Sequence, residues 1–168
     1  MSQRRKLHAI SARRASGECD ATSGERPREV LLDTHTLIWA SIAPEKLSVR
    51  VRKMLESGDY QILVSAATCW EMAIKTQKGK WDFQEPTALA LRWAQTLDAR
   101  WLLIEPYDVA VLETIPPLHG DPFDRMLLAQ SARGCMPLLT NDEDLHRYTQ
   151  VKIAPGPGLS PQTPKILW

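Results

Sequence analysis

The chain lacks any apolar run approaching the roughly 18 residues that a membrane-crossing helix needs, which excludes a helical span. Cysteine is scarce. Cys19, Cys69 and Cys135 are odd in number and far apart, so they provide neither a disulfide framework nor a C-x-x-C metal knuckle. A reducing cytoplasm is the expected home. The first residues lack the apolar core of a secretory signal peptide, and no internal repeat is visible. Nor does either sign of charge dominate: 21 Lys and Arg against 20 Asp and Glu leave +1. With 43% hydrophobic and 24% charged residues, disordered and fibrous classes are excluded as well. A chain of 168 residues suits one domain burying roughly 70% of its unfolded surface.

Charge is unevenly spread. Residues 1–28 carry seven basic side chains against three acidic ones, so the remainder holds fourteen basic against seventeen acidic. The opening segment, rich in Arg, Ser and Ala, is expected to be a disordered basic extension. The body is slightly acidic and cannot hold a polyanion by bulk charge alone.

From Glu29 onward, short apolar runs alternate with helical patterns. Glu29–Asp33 (EVLLD), Tyr60–Val64 (YQILV), Trp101–Ile104 (WLLI), Met136–Thr140 (MPLLT) and Val151–Ile153 are expected strands. Helices are expected from Thr34 to about Ile42 and from an N-cap at Ser48 to Glu56. Another runs from a cap at Ser65 to Lys78, with Gly79 closing it. Further helices should cover Thr87–Asp98, Pro106–Ile115, Asp121-Pro122 through Arg133 with Gly134 after it, and Glu143–Tyr148. Five such alternations predict an α/β fold: a single domain over 29–153 with a parallel sheet of about five strands and helices on both faces. Residues 154–168 (APGPGLSPQTPKILW) are expected to form an extended Pro/Gly-rich tail.

Open parallel sheets bind ligands beyond the carboxyl ends of their strands. Asp33 ends the first strand, Asp142 follows the fourth, and Asp121 and Asp124 open the helix leading into it. Glu71 lies two turns into the helix after the second strand. Each alone has an ordinary explanation, as a turn former, a helix cap or an i,i+4 partner of Lys75. Together, Asp33, Glu71, Asp124 and Asp142 would crowd four negative charges into one crevice, a costly arrangement unless a cation sits between them. Oxygen-only ligands suit Mg²⁺ or Mn²⁺ rather than Zn²⁺.

The segments Leu31-Leu32-Asp33-Thr34-His35-Thr36-Leu37-Ile38-Trp39, Glu71 with Lys75 in WEMAIK, His119-Gly120-Asp121-Pro122-Phe123-Asp124-Arg125, and Leu138-Leu139-Thr140-Asn141-Asp142 resemble the PIN domain. The similarity is to its VapC-type toxin branch and covers about Glu29 to Ile153. The resemblance implies an Mg²⁺- or Mn²⁺-dependent endoribonuclease that leaves a 5′-phosphate and a 3′-hydroxyl. It further implies a homodimer neutralised by a cognate VapB-like antitoxin. Asp33, Glu71 and Asp124 match the family's first three acids, and Asp142 its more variable fourth. Asp33 and Asp124 are then the expected principal metal ligands, with Glu71 and Asp142 acting directly or through water. The basic extension and the tail depart from the family pattern.

Thr34, Lys75, Asp121, Arg125 and Thr140 are expected to bind substrate or to support the acids. A cation in a helix's first turn opposes the dipole, so Arg125 should pair with a carboxylate or reach phosphate. His35 and His119 are expected in structural hydrogen bonds or phosphate contacts. Most of the six tryptophans fall in core patterns, Trp81 excepted. The alternative is a Mg²⁺-binding phospho-receiver-like module with Asp33 as acceptor. That reading leaves Glu71 and Asp142 without a task.

Overall fold

The computed structural model describes residues 28–156 and 160–168. The expected disorder of the basic extension falls, except for Arg28, outside the described residues. Five strands, β1 (Arg28–Leu32), β2 (Tyr60–Ser65), β3 (Arg100–Leu102), β4 (Leu138–Leu139) and β5 (Ile166–Leu167), form one all-parallel sheet in the order β3-β2-β1-β4-β5. The helices are α1 (Thr34–Ile42), α2 (Val49–Glu56), α3 (Ala66–Gln77), α4 (Pro86–Thr96), α5 (Pro106–Thr114), α6 (Pro122–Gly134) and α7 (Glu143–His146). Among the described residues, no helix is long and apolar enough to cross a membrane.

The strands read as continuous apolar runs because both faces of the sheet are covered. Their period of two sends Leu31, Leu63 and Leu138 into one core, where they meet Leu127 and Leu128 of α6 and Tyr148. Val30, Leu32, Ile62, Val64 and Leu139 face the other core, against Leu37 of α1, Val51 of α2 and Ala94 of α4. The expected sheet with helices on both faces is therefore what forms. Hydroxyl and carboxylate caps start the helices where expected: Ser48 accepts from the Val51 N–H, Ser65 from Ala67 and Asp121 from Phe123.

Two expectations fail. Val151–Ile153 is not a strand of the sheet; Ile153 makes an isolated antiparallel bridge to Gln162. The chain then returns, and β5 from the Pro/Gly-rich tail pairs with β4. Ile166 can enter one core while Leu167 and Trp168 pack on the other, a two-sided burial that sequence-adjacent Val151–Ile153 does not supply. Likewise Gly134 is not the residue after its helix but the last one in it, and the left-handed position falls on Cys135 (φ +51°). A Cβ at 134 would stand 2.2 Å from the Met136 terminal methyl, the far end of a flexible side chain that could move aside. Gly79, by contrast, takes the left-handed conformation expected of it (φ +66°).

Candidate active site

Because β1 and β4 are adjacent and parallel, their carboxyl ends bring residues 33 and 140–142 side by side. Asp33 leaves β1 as the N-cap of α1, its Oδ1 accepting the His35 N–H at 3.4 Å. Thr140, leaving β4, donates its hydroxyl to Asp33 Oδ2 at 2.8 Å and accepts the Asp142 N–H at 3.0 Å. One threonine thus aligns two of the expected acids.

Glu71 arrives from α3. The sequence alone allowed it to be an exposed partner of Lys75, but only 1% of it is exposed. Thr34 donates its hydroxyl to Glu71 Oε2, and Lys75 pairs with Oε1. Lys75 also stands 3.5 Å from Asp121, tying α3 to the start of α6. Asp121 caps that helix, and Pro122 at its first position has no N–H to leave unpaired.

Asp124, in the first turn of α6, is the electrostatic centre. Burial, then the charges of Asp33, Asp121, Glu71 and Asp142, push its carboxyl up to about 8. Asp33 is likewise raised, mainly by burial, against the lowering effect of its Thr140 hydrogen bond. Burial disfavours the charge on Lys75, yet its hydrogen bond to Glu71 and the charges of Glu71, Asp121 and Asp124 outweigh this and raise it. The crevice holds five carboxylates and very little positive charge.

His119 was expected in structural hydrogen bonds or phosphate contact, and it makes hydrogen bonds that reach the acids. The Asp121 N–H donates to its Nδ1 at 3.0 Å, which assigns the ring proton to Nε2. Nε2 lies 3.5 Å from Asp124 Oδ2 and 3.4 Å from Asp142 Oδ2. A histidine two residues before a helix cap and five before the next acid was the available signal. Among the described residues, His119, Asp142 and Asp144 form the one trio of candidate metal donors whose atoms lie within 4.8 Å of one another. Asp33, Glu71 and Asp124 do not meet that spacing as a trio; Asp33 accepts from Thr140, and Glu71 from Thr34 and Lys75.

Arg125 corrects an expectation. Its guanidinium turns away from the acids and donates to the Ile115 and Pro116 carbonyls, at 3.1 Å each, beyond the end of α5. A guanidinium carries several donors, and these carbonyls at a helix end are ready acceptors.

As for the donor set, the acids offer only oxygen, and burial holds them where mutual repulsion is expensive. That combination fits a hard divalent cation of the Mg²⁺ or Mn²⁺ kind.

Three comparisons bear on this arrangement. A model of the PIN domain family matches residues 30–151. Ribonuclease VapC22 of Mycobacterium tuberculosis is 31% identical over 124 residues, covering 71% of this chain and 92% of that protein. The crystal structure of VapBC2 from Rickettsia felis, bound to a DNA fragment from their promoter, shares the fold with a TM-score of 0.50 at 15% identity. That match covers 71% of this chain and 92% of the matched one.

Proposed function

The chain belongs to the PIN domain family, and from that premise we propose that it is a cytoplasmic endoribonuclease, the toxin of a VapBC-like pair. The observation that carries the reading is the gathering of buried Asp33, Glu71 and Asp124 with Asp121 and Asp142 at the rim of a parallel sheet, where burial and the neighbouring charges raise Asp124. Similarity to a ribonuclease over nearly all of that protein's length supports it.

Asp33 and Asp124 would hold the cation, Mg²⁺ or Mn²⁺, with Glu71 and Asp142 supporting it directly or through water. When bound, such an ion lowers the pKa of a coordinated water and neutralises charge developing on the phosphate. The protein's own groups do the positioning. Thr140 orients Asp33 and Thr34 orients Glu71, so both carboxylates are aimed before substrate arrives. Lys75 holds Glu71 and Asp121 in place, and the Nε2 proton of His119 sits between Asp124 and Asp142. These supporting contacts keep like charges together without neutralising them.

A VapB-like antitoxin partner and a homodimer belong to the same reading. Exposed Trp70 (56%), Leu103 (67%) and Tyr107 (57%) provide apolar surface for such partners to cover. The decisive experiment incubates the purified protein with mixed RNA and Mg²⁺, with and without EDTA. Cleavage that appears with the ion and disappears with the chelator is expected. Intact RNA under both conditions, with acyl-phosphate labelling of Asp33, would establish the phospho-receiver alternative instead.

A further inference from the structure

An unbroken file of rings passes the lip of the acidic crevice. Trp168 meets Trp39 at 5.5 Å between centroids, Trp39 meets His35 at 5.7 Å, and His35 meets Trp81 at 5.5 Å. Trp81 continues to Phe83 at 5.7 Å, and Phe83 to Trp93 at 5.8 Å. Core packing explains the ends of this file: Trp39, Trp93 and Trp168 pack against one hydrophobic cluster. It does not explain the middle. His35 is exposed, Trp81 and Phe83 are half-buried, and none of the three belongs to either core cluster. The contacts are tilted or edge-on, so no ring in this stretch lies flat against the next, and the Lys75 ammonium stands over one face of Trp81.

The middle of the file adjoins the acids. The His35 N–H bonds Asp33, and Lys75, which pairs with Glu71, lies 5.0 Å from the Trp81 ring centroid. Charge points the same way. Exposed Lys78 and Lys80 directly precede Trp81, with Asp82 the one acid between the two central rings. In a body that is acidic overall, this is basic charge interleaved with aromatic surface beside the site.

We propose that the Trp81-centred rings are a base-stacking platform for single-stranded RNA, with Lys78 and Lys80 meeting the flanking phosphates; this rests on the ribonuclease reading and assigns these residues to substrate binding. Aromatic faces accept any base and basic side chains follow the backbone, the combination that single-strand binders use. A duplex has its bases stacked internally and cannot use such a platform.

The test titrates the full-length chain carrying Asp33→Asn, in EDTA, with a short oligouridylate, reading tryptophan fluorescence and anisotropy. Adding Trp81→Ala should weaken binding roughly tenfold, by an amount that salt does not change, while Trp81→Phe retains most of the affinity. Lys78→Gln with Lys80→Gln should instead flatten the salt dependence. An abasic chain of equal length should bind the same with and without Trp81. Equal oligouridylate affinity in Trp81→Ala, matched by an unaltered circular dichroism melt, would overturn the platform. So would duplex RNA binding as tightly as single strands, or an effect of Trp81→Ala confined to the antitoxin complex. The two readings fail separately. If wild-type protein cleaves RNA with Mg²⁺ and Trp81→Ala leaves kcat/KM unchanged, only the platform falls. If neither protein cleaves, the ribonuclease reading falls while the binding result stands.

Discussion

The protein buries charge in two places and treats it in opposite ways. Between α5 and α6, Asp108 is fully buried and Arg133 nearly so, and their side chains pair. Arg133 also reaches Glu105 at 3.0 Å, and Gln130 links the network to Ser65 at 2.6 Å and to Asp108 at 3.3 Å. Each carboxylate there meets a guanidinium. At the ends of β1 and β4, five carboxylates share one lysine and one histidine. Both regions hold buried acids on neighbouring helices, yet one is compensated by the chain itself and the other is not. A paired buried charge orders a fold, whereas an uncompensated cluster is tolerable where a ligand completes it.

The contrast can be broken from either side. The largest effect expected is on chemistry: Asp33→Asn or Asp124→Asn should reduce Mg²⁺-dependent cleavage to the level seen with EDTA, with the circular dichroism spectrum unchanged. Wild-type rates in either variant would remove that acid from the mechanism. On the compensated side, Arg133→Met strands two carboxylates and should cost about 3–5 kcal/mol in urea unfolding. A loss below about 1 kcal/mol would mean that the two regions are not so different.

The third prediction concerns pH without divalent ions. In the native state Asp124 keeps a proton up to about pH 8, which the unfolded chain releases near the ordinary aspartate value of 3.8. Between those limits the native state binds more protons, so unfolding free energy should fall as pH rises and level off above the window. Asp124→Asn should flatten that slope and raise stability at pH 8, the opposite sign to Arg133→Met. Each pKa unit corresponds to about 1.4 kcal/mol. A melting series in EDTA from pH 5 to 9 measures both. The smallest effect belongs to Thr140→Val, which removes the hydrogen bond to Asp33 and should cost about 1 kcal/mol while Thr140→Ser restores it. Equal melting points for all three proteins would show that this contact does not hold the acid.

Much of this was legible in the chain itself. Val30, Leu31 and Leu32 form a run too apolar for a one-sided strand, and Ser48, Ser65 and Asp121 mark helix starts by their own chemistry. Asp33, Glu71, Asp124 and Asp142 could be nominated from their places relative to those elements. Other features were not legible. Arg125 sits beside an acid in sequence but finds closer acceptors at the end of α5, since a long side chain chooses among neighbours that only packing supplies. Val151–Ile153 has the composition of a strand, yet Ile166–Leu167 takes the edge because it can bury on both faces.

Local pattern therefore determined the alternation of strands and helices, their caps and the acids at strand ends, all of which depend on residues a few positions apart. Tertiary structure alone decided which carboxylates share a crevice, which of the buried acids finds an arginine, and which rings line up beside them. Those outcomes depend on distances between residues far apart in the chain, and electrostatic energy follows distance and burial rather than sequence order.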